Sequence, residues 1–423
     1  MSAGTLVVGS GQAALQLAVS LREFGDTEPI TLVGAEAHSP YQRPPLSKAF
    51  LHGTTEAASL ALRTPDFYTQ QRITLVSGER VTRLEDGIAA TDGGRTLRYQ
   101  RLALAVGVRP RRLPVPGTDL SGVHYLRDLG DAERLRERLT AGRRVVVVGG
   151  GFIGLEVAAA ATAHGCAVTV VEAADRLLAR AVAPAISEFY RHAHLSRGVD
   201  VRTGVSVVAI HGHPSSGQDN SARNKAPNSV REIELGDGSR LPADVVLIGI
   251  GAEPRLELAR QLGLRCQGGI EVDRFARTSR PEIVAAGDCT LCPEPLSGQG
   301  LVRIESVQNA QAQARAAAAS LAGRLEPHAG VPWFWSDQGD LKLQIAGLSH
   351  PGDLHVVRGS MAEERFSVLH YRAGRLVAAD SVNQAADHLA VRAALARGVD
   401  LPAELAADAA RPLKHLLLDR RSA

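Results

Sequence analysis

The chain has 423 residues, of which 44% are hydrophobic and 4% aromatic, and its formal net charge at pH 7 is +3. A chain of this length is longer than a domain with a single hydrophobic core, so two or three domains are expected. So small a charge gives no indication of a nucleic-acid partner. Four cysteines are too few for a disulfide scaffold of this size. The first predicted strand begins at Thr5, which leaves no room for a signal peptide and predicts a cytoplasmic protein.

Residues 5–33 predict a β-α-β unit of the dinucleotide-binding kind. The strand TLVV is followed by a glycine turn, an apolar-periodic helix to Leu21 and the strand ITLV. In such a unit the first glycine allows a tight turn, the second lets the backbone approach a pyrophosphate, and alanine is tolerated in the third place. An acid after the second strand is the predicted ribose ligand. The ligands predicted here are Gly9, Gly11, Ala13, Ala14 and Glu36.

Residues 101–117 predict a strand that closes this first sheet and a proline-rich crossover into a second domain. The second domain contains the clearest motif of the chain, residues 143–172. It has four consecutive valines, then Gly149, Gly151 and Gly154, a helix of small residues through Ala163, and a valine-rich strand ending at Glu172. The helix N-terminus favours phosphate, and the final carboxylate accepts a ribose 2′-hydroxyl and repels a 2′-phosphate, so the motif predicts a site for NAD rather than NADP.

The apolar run through this motif also approaches the length of a membrane span, roughly 20 residues. Glu156 and the three glycines interrupt the run, so a membrane span is rejected. Further on, residues 211–230 are rich in Ser, Asn, Pro and Gly and predict a mobile surface loop. A strand and turn from Asp244 to Pro254 then close the second domain.

Two dinucleotide folds in one chain predict two dinucleotides, and the N-terminal fold most simply holds FAD. Residues Ile283 to Asp288 support this interpretation, because an apolar strand ending in Ala-Gly-Asp can place an aspartate against the ribityl chain and pyrophosphate of a flavin. An Ala-rich helix is predicted from Ser306 to Ala322. Cys289 and Cys292 form a C-x-x-C pair, but the chain offers no second ligand pair at zinc spacing nearby, so no metal site is predicted.

From about Pro327, β-type runs with polar turns are followed by a helix from Gln384 to Arg397. Antiparallel strands covered by helices are the best fit. The predicted fold class is therefore α/β, with two Rossmann-like domains, the NAD domain inserted in the FAD domain, and a C-terminal α+β domain. The predicted boundaries are 1–112 with 248–326 for the FAD domain, 113–247 for the NAD domain and 327–423 for the C-terminal domain.

Five motifs together resemble those of the FAD-dependent pyridine-nucleotide oxidoreductases. They are YQRPPLSK (residues 41–48), GGGFIGLE, AAGDC, VRIESVQNA and PWFWSDQ (residues 332–338). Within that family the chain looks like the ferredoxin reductases of the putidaredoxin reductase and biphenyl dioxygenase ferredoxin reductase type, and the last motif is specific to that branch. The motifs span nearly the whole chain.

The resemblance implies roles for individual residues. It places Lys48 beside the flavin ring and Glu156 opposite, on the NAD side, and we hypothesise that the two form an ion pair. Trp333 and Trp335 could simply be core residues, but their place in the branch-specific motif favours Trp335 near the flavin, on the route to the partner. With Lys48 and Glu156, Trp335 completes the predicted catalytic set. The remaining implied FAD ligands are Arg43, Val81, Arg127, Asp288 and Val307, and the remaining implied NAD ligands are Phe152, Ile153 and Gly251.

The resemblance also implies the reaction, which is hydride transfer from NADH to FAD followed by single-electron transfer to a [2Fe–2S] ferredoxin. Disulfide-reductase relatives carry a redox-active cysteine pair where this chain has residues 41–48, but no cysteine precedes Cys166. The expected partner is an acidic ferredoxin that serves a cytochrome P450 or a Rieske oxygenase, and the expected oligomeric state is a monomer or weak dimer. The candidate arginines for docking the ferredoxin are Arg43, Arg63, Arg303 and Arg315.

Two alternatives stay open. The same scaffold could carry another NADH-dependent reductase, of the rubredoxin or monodehydroascorbate reductase type. It could also carry a flavoprotein that binds NADH mainly to change shape or partner, like apoptosis-inducing factor. The intact PWFWSDQ motif and the compact C-terminal domain favour the electron-transfer enzyme.

Overall fold

The structure is a computed structural model that describes residues 3–213, 228–297 and 300–418. The chain folds into two compact units, each assembled from several segments. The first unit contains residues 1–42, 58–109 and 252–334, and the second contains residues 43–57, 110–251 and 335–423. Residues 214–227, most of the predicted mobile loop, lie outside the described residues. The finer division into three domains stays a prediction.

Strands occur from the start of the described residues to Val382. In chain order they are β1 (Thr5–Val8), β2 (Ile30–Gly34), β3 (Ile73–Ser77), β4 (Val81–Glu85), β5 (Ile88–Thr91), β6 (Thr96–Arg98), β7 (Arg101–Leu104), β8 (Val108–Pro110), β9 (Val123–His124), β10 (Arg144–Val148), β11 (Ala167–Glu172), β12 (Asp200–Thr203), β13 (Val207–Gly212), β14 (Val230–Leu235), β15 (Arg240–Pro242), β16 (Val245–Ile248), β17 (Ala252–Pro254), β18 (Ile270–Glu271), β19 (Ile283–Ala285), β20 (Thr290–Pro293), β21 (Leu301–Val302), β22 (Trp333–Gln338), β23 (Leu341–Gly347), β24 (Leu354–Ser360), β25 (Arg365–Arg372) and β26 (Arg375–Val382).

The helices are interspersed among the strands, and the last three follow the last strand. They are α1 (Gln12–Glu23), α2 (Pro65–Gln70), α3 (Leu129–Arg136), α4 (Phe152–Ala163), α5 (Pro184–Ser196), α6 (Glu257–Gln261), α7 (Val307–Leu321), α8 (Ala385–Arg397), α9 (Ala403–Ala406) and α10 (Leu413–Leu418), with short 3-10 turns at Pro44–Ser47 and Ala57–Leu60. Among the described residues, no helix combines the length and the apolar character needed to cross a membrane.

The first unit is built on a parallel sheet of order β19-β7-β1-β2-β3. The apolar strand residues predicted from the sequence are buried, as parallel strands covered on both faces require. Helices α1 and α7 share one core with the sheet, and alanines on α7, such as Ala314 and Ala317, are fully buried there. Their small side chains let the helix pack closely. The smaller sheets β4-β5-β6 and β18-β20-β21 also belong to this unit.

The second unit contains a second parallel sheet, of order β12-β11-β10-β16-β9. The four consecutive valines of residues 143–172 form most of β10 and are almost completely buried. An antiparallel sheet of order β22-β23-β26-β25-β24 follows, and apart from the first two residues of β22 it belongs to this unit. Phe366 and Val368 of this sheet share one core with Val145 and Val147 of β10, which explains why both sheets fall in one compact unit. The architecture confirms the predicted fold class.

Candidate functional site

The glycine turn of the second unit leaves open space at the start of a helix. Gly149 has a φ of +109°, and a Cβ on it would lie 2.5 Å from the carbonyl oxygen of Gly249. A Cβ on Gly154 would lie 2.1 Å from the Gly149 carbonyl oxygen, so only glycine allows α4 to lie this close. A Cβ on Gly151, by contrast, would meet no atom of residues 3–213, 228–297 or 300–418 within 4 Å, apart from its own chain neighbours. This helix N-terminus therefore fits an incoming phosphate group.

The other predicted NAD ligands surround this turn, because β10, β11 and β16 are parallel and their carboxyl ends lie at one edge of the sheet. Phe152 and Ile153 form the first turn of α4, and the Ile153 side chain is 42% exposed. Gly251 follows β16 with a φ of +103°. All the predicted NAD ligands belong to the second unit.

Glu172 supports the turn itself. Its carboxylate oxygens accept hydrogen bonds from the backbone N–H of Gly150 at 2.7 Å and of Ala174 at 2.8 Å. These two bonds hold the carboxylate at the end of β11 while leaving further lone pairs for a ribose hydroxyl. The sequence pattern predicted a nucleotide ligand here but not this second, structural role.

Replacing Glu172 by glutamine should therefore weaken the choice between the two nicotinamide cofactors. The neutral amide keeps an acceptor for Gly150 but no longer repels a 2′-phosphate, so kcat/KM for NADPH should rise at least tenfold relative to NADH. Steady-state kinetics with both cofactors measure the ratio. The control is the same exchange on β14, Glu234→Gln. An unchanged ratio of kcat/KM for NADH and NADPH in the Glu172 variant would contradict the assignment of Glu172 as the ribose ligand.

A second glycine turn, in the first unit, has the same construction. Gly9 has a φ of +129°, and a Cβ on it would lie 2.2 Å from the Ala105 carbonyl oxygen. In the part of the chain that the structure describes, nothing beyond the chain neighbours lies within 4 Å of a Cβ on Gly11. Ala13 and Ala14 are buried in α1 directly behind the turn. The open space again fits a pyrophosphate at a helix N-terminus.

The parallel sheet brings two further predicted FAD ligands of the first unit, Glu36 and Asp288, to this edge, because both follow strands of that sheet. Glu36 follows β2, and its carboxylate accepts a hydrogen bond from the Tyr41 hydroxyl at 2.5 Å. Asp288 follows β19, and a Cβ on the preceding Gly287 would lie 3.2 Å from the Ala13 Cβ, so this turn packs closely on α1. Val307 opens α7, and Val81 is a buried residue at the start of β4. The other predicted FAD ligands, Arg43, Lys48, Arg127 and Trp335, belong to the second unit.

The hypothesised ion pair is present within the second unit. The Lys48 Nζ lies 2.8 Å from the Glu156 Oε2, and the two side chains are 14% and 1% exposed. The structure also brings Arg43 and Arg127 together, since the Arg43 guanidinium donates to the Arg127 carbonyl oxygen at 2.9 Å. Trp335 lies on β22, next to Ser336, whose hydroxyl donates to Glu156.

Glu156 has two further partners that sequence reasoning missed. Ser336 donates to its Oε1 at 2.6 Å, and Ser47 donates to its Oε2. Burial raises the pKa of Glu156, while Lys48 and the two hydroxyls act in the opposite direction. Both serines lie inside the motifs YQRPPLSK and PWFWSDQ, so a search of those motifs for side chains able to donate to a buried carboxylate would have found them.

The two cysteines of the C-x-x-C pair are buried thiols. Burial raises the pKa of Cys289 to about 12 and that of Cys292 to about 11, so neither is a thiolate at neutral pH. Each Sγ lies near backbone carbonyl oxygens, those of Ala286 and Val302 respectively. Among the described residues, no group of three or more His, Cys, Asp or Glu side chains could hold a metal ion.

Comparison with known protein families defines the class. Residues 4–314 match the model of the pyridine nucleotide-disulphide oxidoreductases, and residues 333–417 match the reductase C-terminal model. The chain belongs to the pyridine nucleotide-disulphide oxidoreductase family and carries the reductase C-terminal region. FAD and NAD(H) are its cofactors, and the two open glycine turns fit their pyrophosphates.

Individual relatives match along almost the full length. The chain is 44% identical to rhodocoxin reductase of Rhodococcus erythropolis, over 97% of this chain and 93% of that protein. The ferredoxin reductase for the CYP199A2 system from Rhodopseudomonas palustris shares 42% identity with a TM-score of 0.91, covering 97% of this chain and 99% of the other. The reductase in the covalent putidaredoxin reductase–putidaredoxin complex shares 40% identity with a TM-score of 0.93, covering 99% of each chain.

Proposed function

We propose that this protein is an NADH-dependent ferredoxin reductase that supplies electrons to an oxygenase system through a [2Fe–2S] ferredoxin. The observation that carries the proposal is the similarity along nearly the whole chain to the reductase of a complex with putidaredoxin and to a ferredoxin reductase of the CYP199A2 system. A cytochrome P450 is accordingly the favoured terminal oxygenase, with a Rieske oxygenase as the second candidate.

The cysteine positions support a ferredoxin reductase over a disulfide reductase. No cysteine precedes Cys166 in the sequence, so residues 41–48 contain no sulfur and carry Lys48 instead. The thiols of Cys289 and Cys292 are held protonated by burial. A thiol relay needs a thiolate that can attack a disulfide, and these buried thiols do not supply one.

The cofactors carry the redox chemistry, since bound FAD accepts a hydride from NADH and can release electrons singly. The chain supplies binding and orientation. The turn at Gly149 to Gly154 and Glu172 hold the dinucleotide, which fixes its nicotinamide end relative to the protein. Lys48 supplies a positive charge whose position is set by Glu156, and the low exposure of both groups strengthens the field of that charge.

The proposal is tested by NADH-driven reduction of cytochrome c with candidate [2Fe–2S] ferredoxins present or omitted. We expect slow reduction without a ferredoxin and an increase of at least tenfold with the cognate ferredoxin. Rubredoxin and monodehydroascorbate are the comparison acceptors. A preference for one of these, or rapid flavin reduction by NADH with no transfer to any acceptor, would contradict the proposal and favour one of the alternatives.

The same assay at increasing ionic strength tests the proposed acidity of the ferredoxin. The candidate docking arginines differ in their surroundings, since Arg315 pairs with Glu23 and Arg303 with Glu305, whereas Arg63 lies over the ring of Phe67 at 5.2 Å. Steering between opposite charges weakens as salt screens them, so the rate should fall with added NaCl. A rate that does not change with salt would contradict a basic docking surface.

A further inference from the structure

Glu156 lies at the end of a continuous row of buried hydrogen bonds within the second unit. The His194 Nε2 lies 2.8 Å from the Gln338 Oε1, the Gln338 Nε2 lies 3.3 Å from the Ser336 Oγ, and the Ser336 Oγ lies 2.6 Å from the Glu156 Oε1. All four residues are at most 2% exposed. The row joins α5, β22 and α4, and it ends at Oε1, the carboxylate oxygen other than the Oε2 that pairs with Lys48.

When Glu156 is ionised, the chemistry of these groups allows only one donor-to-acceptor direction for the hydrogen bonds of the row. A carboxylate only accepts, so the single hydroxyl hydrogen of Ser336 must point to Glu156. The Ser336 oxygen then accepts from the Gln338 amide NH2, and the Gln338 carbonyl oxygen accepts from His194. Burial lowers the pKa of His194, so its ring is neutral at pH 7 and the one N–H that it carries must be on Nε2.

We propose that Ser336, Gln338 and His194 are positioning residues that act through Glu156. Together they form a polarised row of hydrogen-bond donors, which keeps the Glu156 carboxylate ionised and fixed towards Lys48. Each bond in such a row strengthens the next, because a donor whose own acceptor site is occupied is a better donor. The row compensates for the desolvation of Glu156, which on its own would favour the neutral acid. The effect on flavin chemistry rests on the proposed function, but the ionisation of Glu156 does not.

The other ionisable groups around Glu156 do not replace this row. Lys48, on the segment of residues 43–57, provides the opposite charge at Oε2. On α5, Tyr190 is fully buried, and burial together with Asp337, Asp380 and Glu156 raises its pKa, so it stays a neutral phenol. Ser47 donates to Oε2. At Oε1, Ser336 is the donor given by the described residues, which makes it the point at which the row can be broken.

The direction of the row can be measured in the wild-type, FAD-containing enzyme. The ¹⁵N chemical shifts of His194 identify which ring nitrogen carries the proton, and His194→Gln provides the assignment. We expect a neutral ring with the proton on Nε2. A proton on Nδ1 alone would mean that Gln338 donates to the ring and that the row runs the other way, which would overturn the proposal.

The effect of the row on Glu156 is tested with Ser336→Ala. Infrared difference spectroscopy of ¹³C-glutamate-labelled enzyme detects the carbonyl band of a protonated acid, and Glu156→Gln identifies the band. Loss of one hydrogen bond to a charged group should raise the ratio of protonated to ionised Glu156 about tenfold at pH 7. Ser336→Cys, which retains a weaker donor, should give a smaller increase.

Ser381→Ala is the matched control, because Ser381 is equally buried in the antiparallel sheet and its hydroxyl contacts Ser367 rather than Glu156. It should leave the ratio unchanged. An unchanged ratio in Ser336→Ala, or an equal change in Ser381→Ala, would overturn the proposal. The infrared spectrum is taken on the oxidised enzyme without ferredoxin. Failure of the ferredoxin assay would therefore leave the infrared result intact, and failure of the infrared test would leave the ferredoxin assay intact.

Discussion

Lys48→Met is expected to lower the midpoint potential of the bound flavin, to slow its reduction by NADH about tenfold or more, and to destabilise the second unit by about 3 kcal/mol. The physical reason is that Glu156 is 1% exposed and would lose the cation 2.8 Å away. An unpaired buried carboxylate either carries a large desolvation cost or takes up a proton. Removal of a positive charge beside the flavin, where the family resemblance places Lys48, also disfavours the reduced, more negative state.

Three measurements separate these effects. Stopped-flow absorbance gives the reduction rate, a dye-linked titration gives the midpoint potential, and denaturant unfolding gives the stability. Lys342→Met is the control, since Lys342 is an exposed lysine on β23. In the double variant Lys48→Met/Glu156→Gln, no unpaired charge remains, so most of the lost stability should return while the potential stays altered. Wild-type potential and reduction rate in Lys48→Met would remove the proposed role.

Gly151→Ala should raise the KM for NADH about 10- to 100-fold with little change in stability. Apart from the chain neighbours, no atom of the described residues lies within 4 Å of the added Cβ, so the fold accepts it. The methyl group nevertheless occupies the space through which the backbone approaches the pyrophosphate. Overpacking of this kind costs about 1–3 kcal/mol, which corresponds to the expected change in affinity. Steady-state kinetics and thermal unfolding measure the two quantities.

The matched variant is Gly11→Ala, which occupies the equivalent open space in the first unit. It should lower FAD retention during purification while the apparent affinity for NADH of the flavin-containing fraction stays near wild type. Gly154→Ala differs from both, because its Cβ would lie 2.1 Å from the Gly149 carbonyl oxygen, so we expect loss of folded protein. If Gly151→Ala bound NADH normally, the proposed position of the pyrophosphate would be wrong.

Local secondary structure in this fold was predictable where the sequence carries a period or a motif. The valines of β10, the glycine turn and the small residues of α4 form the predicted strand, turn and helix, and α4 ends at Ala163 as expected. The helix predicted from Gln384 begins at Ala385 with Gln384 as its N-cap. The small sheet β4-β5-β6 was not predicted, because its short, partly exposed strands have too weak an alternation to stand out.

The candidate site was predicted less completely than the fold. The Lys48–Glu156 pair followed from the family resemblance, whereas Ser336, Gln338 and His194 did not. Residues of such a row lie far apart in the chain, and no local pattern shows that His194 on α5 reaches Gln338 on β22. Hydrogen-bond direction is a property of the folded arrangement, so the sequence offers only the chemical types of the participants.

The order in which segments join the first unit has a consequence for biosynthesis. Its parallel sheet is incomplete until β19 at Ile283–Ala285 has been made, and α7 at Val307–Leu321 covers it still later. While the ribosome translates residues 110–251, which belong to the second unit, the nascent first unit exposes an open edge at β7. Such edges favour aggregation. Slower translation at lower temperature, or added chaperone, should therefore increase the yield of intact holoprotein.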